Sequence, residues 1–106
     1  MRKEKVLARM GLVMTKDEIK RIRVSETESG DVSVQVDLHE LSKSKARRFI
    51  GNIFGIIRGP FRLDVIHGYN HGTVLKEYIN NELDNKRIKE RHVHSRNEGM
   101  TILNVI

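Results

Sequence analysis

Gly59-Pro60 constrains this chain more than any other pair of residues. Proline removes a backbone donor and biases the residue before it away from helical angles, so a helix that reaches this point must stop. On the N-terminal side, Ala46, Phe49, Ile50, Ile53 and Ile57 recur at spacings of three and four behind Ser42, whose hydroxyl suits an N-cap. On the C-terminal side, Phe61 to His67 has the length and apolar character of a strand. Upstream of the helix, Val32, Val34, Val36 and Leu38 alternate with polar residues in the strand period of two. Strand, helix and strand make a βαβ unit, whose crossover is right-handed and joins parallel strands.

The remaining segments attach to that unit. Residues 20–26 form a hairpin with 32–38 through a turn containing Gly30. After Gly68 to Gly72, Thr73 is placed to cap a helix whose buried stripe is Val74, Leu75, Tyr78, Ile79 and Leu83, with Asp84 to Arg87 ending it. Residues 88–94 and 100–106 read as two final strands around a loop, Ser95 to Gly99. Residues 1–19 are weakly patterned, with Gly11 interrupting any long helix, and read as a flexible arm or a short helix. The expected order is ββαβαββ, an α/β fold: an α+β two-layer sandwich with a mixed sheet and two helices on one face. The domain is expected over 20–106, with its core motifs from 34.

Twenty Lys/Arg against 14 Asp/Glu leave a formal charge of +6, a field that favours polyanions, nucleic acid first among them. The absence of cysteine excludes a disulfide framework and thiolate chemistry, and fits a reducing cytoplasm. No stretch approaches the roughly 20 apolar residues a membrane span needs. Residues 1–14 also lack the continuous apolar core of a signal peptide.

Two motifs carry the candidate chemistry. Asp37 and His39, two apart on a strand, point to one face, where a carboxylate fixes the tautomer of an imidazole for general acid/base work. His67 ends the next strand, and Gly68 to Gly72 lead into a helix start whose N–H groups suit a phosphate, with Thr73 adding a hydroxyl and Lys76 a cation. Each motif has a plain structural reading: Asp37 capping a strand end, His39 as a polar surface residue, the glycines making a turn. Standing at matching ends of two parallel strands, together they favour chemistry.

Five histidines raise a rival, a metal site of His92 and His94 with His39, His67 or His71. No HExxH or Cys/His finger spacing supports it. For nucleic-acid contact the chain offers Lys43, Lys45, Arg47 and Arg48 on the first helix and Arg87, Lys89, Arg91 and Arg96 near the last hairpin, with Tyr69 available to stack on a base.

In order and separation, Val36-Asp37-Leu38-His39, Ala46-Arg47, Ile66-His67-Gly68, Gly72 to Lys76 and Gly99-Met100-Thr101-Ile102 resemble the small MutS-related (Smr) domain over about two thirds of the chain. The resemblance implies a fold similar to the C-terminal domain of a bacterial translation initiation factor, and nicking or endonuclease activity on DNA or RNA. It places the family's acidic residue and histidine at Asp37 and His39, and its His-Gly pair at His67 and Gly68. Two departures stand out. Glu40 occupies a family glycine position, and Tyr69-Asn70-His71 replaces a shorter glycine-containing loop.

The expected function is therefore a cytoplasmic nuclease, hydrolytic or transesterifying, that acts as a monomer without cofactor or metal. Its partner is RNA or DNA, with a ribosome-associated partner as a further option and no membrane. Asp37, His39, His67 and His71 are the catalytic candidates, and Gly68, Gly72, Thr73 and Lys76 hold phosphate. The alternative is a non-catalytic nucleic-acid- or ribosome-binding module of the same fold.

Overall fold

Val32, Val34 and Val36 are buried while Ser33, Gln35 and Asp37 between them are not, and the same alternation runs through Phe61, Leu63 and Val65 in the neighbouring strand. One sheet face is therefore apolar and covered, the other polar and open. The computed structural model describes residues 2–68, 73–94 and 96–106, of Asn97 and Glu98 the backbone alone. Its elements are α1 (Arg2–Val13), α2 (Lys16–Lys20), β1 (Ile22–Glu26), β2 (Val32–Asp37), α3 (Lys43–Ile56), β3 (Phe61–Ile66), α4 (Val74–Glu77), β4 (Ile88–His94) and β5 (Asn97–Val105), with a π-helical turn at Tyr78–Glu82 after α4. The strands form a mixed five-stranded sheet in the order β1-β2-β3-β5-β4. Only β2 and β3 run parallel, as a crossover through α3 requires.

The buried strand residues form one cluster with Val6 and Met10 of α1, Phe49, Ile50 and Ile53 of α3, and Tyr78 and Ile79. α1, α3 and the segment after α4 thus lie on one face, a two-layer α/β sandwich. Burying each large aliphatic or aromatic side chain contributes roughly 1.5–3 kcal/mol. Ser42 caps α3 as its position suggests, its hydroxyl accepting the Lys45 N–H at 3.2 Å.

The N-terminal segment differs from the arm or short helix that its patterning suggests. Val6, Met10 and Met14, spaced by four, are all buried, and α1 runs through Gly11. One exposed helical glycine costs about 1 kcal/mol, less than the burial of those three side chains returns. Arg2 donates to the carbonyls of Arg58 and Pro60, and Arg9 to that of Ile56, so α1 also closes the C-terminal end of α3. Arg87 completes that closure with bonds to Phe54, Ile57, Gly59 and Ile106, while its guanidinium lies against the rings of Phe54 and Phe61. Cations at a helix C-terminus satisfy carbonyls that have no intrahelical partner.

The helix expected from Thr73 to Leu83 is shorter and wider than its periodicity suggests. Thr73 makes no side-chain cap, and after four α-helical residues the Leu83 N–H bonds the Tyr78 carbonyl at 2.7 Å, a five-residue spacing. Val74 is exposed, and Tyr78 and Ile79 alone anchor the segment fully. Arg91 holds its end through the carbonyls of Ile79 and Leu83, both at 2.7 Å. Among the described residues, no helix is long and apolar enough to cross a membrane.

Candidate functional site

Parallel pairing of β2 with β3 sets Asp37 against Ile66, and the Leu38 N–H continues the ladder to the Ile66 carbonyl at 2.8 Å. The two strands therefore release their next residues side by side. A Cβ built on Gly68 would lie 3.5 Å from the His39 Cβ, an ordinary contact distance. Gly68 has φ +74°, which glycine adopts without a Cβ penalty. The Asp-x-His pair and the His-Gly pair thus meet at one edge of the sheet.

Leu38 is fully buried, so its neighbours Asp37 and His39 turn away from the core. Asp37 Oδ1 is hydrogen-bonded to His39 Nδ1 and also accepts the His39 backbone N–H at 3.1 Å. A carboxylate at Nδ1 holds the proton there, which leaves Nε2 as the free basic nitrogen of the neutral ring. The His39 side chain is 51% exposed, open to a ligand in solution. Arg21 braces the pair from beneath: its Nη1 donates to the carbonyls of Asp37 at 3.2 Å and His39 at 3.0 Å, and its Nε to Asp17 at 3.1 Å. Asp37 and His39 line a cleft of about 400 Å³ together with Lys20, Arg21, Arg23 and Ile66.

His67 has a different environment. It is 4% exposed, with Nδ1 against the Gly68 carbonyl at 3.0 Å and Nε2 against the Thr101 hydroxyl at 2.9 Å. That hydroxyl also lies 2.6 Å from the side-chain amide of Asn80. Burial lowers the His67 pKa below its ordinary value, the Gly68 bond works against that shift, and the nearby Lys76 adds to it. With both nitrogens engaged, the ring ties the start of the glycine loop to β5 and to the π-helical turn.

The Gly68 N–H is also engaged, donating to the Gly99 carbonyl at 3.1 Å. Gly68 therefore contributes room beside His39 rather than a free amide. Thr73 is exposed, with its hydroxyl 3.4 Å from Glu77. Tyr69, His71 and Gly72 lie outside the described residues. Glu40, which directly follows His39, has φ +68°, a left-handed conformation that favours glycine.

The cations anticipated on α3 stand on the helix layer, across the sheet from the Asp37 side chain. Lys43 pairs with Glu82, and the Arg47 guanidinium lies 5.7 Å from the centre of the Tyr78 ring. Burial raises the Tyr78 pKa above its ordinary value, and Arg47 opposes that shift. Lys45 and Arg48 are exposed. Arg87 and Arg91 close helix ends, so neither offers a free guanidinium to a phosphate. The cations beside Asp37 and His39 are instead Lys20, Arg21 and Arg23, and the sequence did carry a signal for them. Lys20-Arg21-Ile22-Arg23 sets two arginines two apart, Arg21 just before β1 and Arg23 within it, and β1 pairs with β2.

His92 faces Ile102 across the β4–β5 ladder, and His94 Nδ1 accepts the Arg96 N–H at 3.1 Å. Among the described residues, no three His, Asp or Glu side chains come close enough to hold a metal ion. The chain matches no model of a known protein family, and no curated protein matches it.

Proposed function

We propose that this chain is a nucleic-acid endonuclease of the Smr type, working in the cytoplasm on a phosphodiester that sits between His39 and Gly68. The observation that supports it is the meeting of the hydrogen-bonded Asp37–His39 pair with Gly68 at the edge of an open, cation-lined cleft. The likeness to the Smr domain adds motif order alone. On RNA, His39 Nε2 removes the proton of a 2′-hydroxyl, the 2′-oxygen attacks phosphorus, and the bond to the 5′-oxygen breaks. The leaving oxygen takes a proton, and a cyclic phosphate end remains. Asp37 orients the imidazole and stabilises its protonated form. His67, enclosed as it is, positions the loop, and the second proton transfer is assigned to His71 on its sequence position.

One observation favours a second reading, a non-catalytic module that holds nucleic acid or a ribosome-associated partner. Glu40 places a carboxylate immediately after His39 on left-handed backbone, where the resembling family has glycine. An added anion there opposes a phosphate.

The two readings separate in one experiment. Labelled single-stranded RNA, duplex DNA and branched DNA are incubated with the unaltered protein, Asp37→Ala and His39→Ala, with and without chelator. Cleavage that survives chelation and falls about 10²–10⁴-fold in both variants is the expected result. Equal rates in all three proteins would remove the catalytic assignment, and salt-dependent binding without cleavage would leave the module.

A further inference from the structure

Lys20 and Arg23 precede the part of the chain that resembles any family, and the fold itself leaves both side chains unused. Lys20 ends α2 and Arg23 lies in the edge strand β1. Both are exposed, and among the described residues neither side chain has a hydrogen bond or an ion pair. Arg21 between them is fully committed to Asp17 and to the carbonyls of Asp37 and His39. The cleft is lined by three cations and two carboxylates. Asp17 is paired by Arg21, and the neutral His39 ring leaves Asp37 its charge, so the lining is net positive by one, with Lys20 and Arg23 the cations that make no ion pair.

Their placement relative to the candidate site follows from the register. Arg23 lies opposite Gln35 in the antiparallel β1–β2 pair, and Gln35 and Asp37 share the open face. Arg23 is thus the diagonal neighbour of Asp37, about 7–8 Å away across the sheet. A single stretched internucleotide link spans that separation. A flexible single strand can bend to follow the cleft, whereas a duplex, stiff over about 150 base pairs, meets it as a rigid rod. A net positive lining of this kind favours a polyanion. Apart from Ile66 the lining is polar or charged, which suits a phosphate-sugar backbone better than an apolar ligand.

We infer that Lys20 and Arg23 form a phosphate subsite beside the His39 position, so that the ligand is a single nucleic-acid strand crossing the open face of β1 and β2. This rests on the phosphodiester reading above and extends it to a substrate class and to residues outside the motifs.

The test is a fluorescence-anisotropy titration of the full chain with a short single-stranded RNA, the matching DNA strand and the duplex, at several salt concentrations. Lys20→Gln/Arg23→Gln is compared with Lys45→Gln/Arg48→Gln, and thermal melts of both verify folding. The expected result is tighter binding of a single strand, RNA or DNA, than of duplex. The cleft variant should bind roughly tenfold or more weaker at low salt, with the slope of log K against log salt smaller by about 1.4, or 0.7 for each phosphate no longer neutralised. The α3 variant should match the unaltered protein. Unchanged affinity and slope in the cleft variant would overturn the subsite and leave the phosphodiester reading standing. Tighter duplex binding, or weakening confined to the α3 variant, would likewise overturn the subsite alone. No binding of any strand by the unaltered protein would overturn both.

Discussion

His39 Nδ1 is hydrogen-bonded to the Asp37 carboxylate across Leu38, whose side chain is wholly buried. The core thereby anchors the residue between them, and the strand alternation turns both polar groups outward together. A backbone bond from His39 N–H to the same carboxylate oxygen fixes the pair further.

Asp37→Asn keeps the shape of this arrangement and removes its charge. An amide can turn its N–H toward Nδ1, which moves the proton to Nε2 and leaves no base facing the cleft. Cleavage is expected to fall about 10²–10⁴-fold, the range for a positioned general base. Stability should change by less than about 1 kcal/mol, because the pair is exposed. Single-turnover rates and urea denaturation on the same preparation check both halves.

Glu40 offers a test of backbone strain. Its φ of +68° costs a residue with a Cβ roughly 1–2 kcal/mol that glycine does not incur. Glu40→Gly is expected to be about 1 kcal/mol more stable than Glu40→Ala, the comparison that cancels loss of the glutamate side chain. Denaturation midpoints of the two variants measure the difference. If Glu40 restrains turnover, Glu40→Gly also cleaves faster than the unaltered protein.

His67 predicts a pH dependence. Burial holds its folded pKa below 6.5, the unfolded value, so below that pH the unfolded chain takes up a proton while the folded ring remains neutral. The unfolded state then binds more protons, and stability falls as pH drops through 6.5 toward the folded pKa. Above 6.5 this contribution is fully present. His67→Gln should lose that acid-side slope relative to the unaltered protein, which chemical denaturation at a series of pH values reads directly.

Arg87→Lys tests the closure of α3. The guanidinium reaches four carbonyls and two aromatic rings, and a single ammonium cannot match that fork. A loss on the order of 2–3 kcal/mol is expected from the carbonyls left without a charged donor. Cleavage or binding at saturating ligand should be unchanged, since Arg87 lies outside the cleft. Urea denaturation and a binding titration separate the two effects.

The sequence by itself determined the βαβ centre of this protein. Ser42, the three-and-four spacing from Ala46 to Ile57, Gly59-Pro60 and the alternating valines are local signals, and each acts through the backbone within a few residues of itself. The same alternation sent Asp37 and His39 to one face, and the parallel crossover brought Gly68 beside them. Other features depend on partners remote in the chain. Arg2, Arg9 and Arg87 become caps only where α3 ends in space, and α1 becomes a core helix only where Val6 and Met10 find the sheet. The π-helical turn sets Asn80 against Thr101, and only that contact, with the Gly68 carbonyl, makes His67 a buried tie instead of an exposed ring. Only the pairing of β1 with β2 put Lys20 and Arg23 on the rim of the cleft, on the opposite side of the sheet from the basic face of α3. Periodicity is a property of neighbouring residues, whereas the pairing of charges and carbonyls is decided when distant segments meet, and that only the tertiary structure could settle.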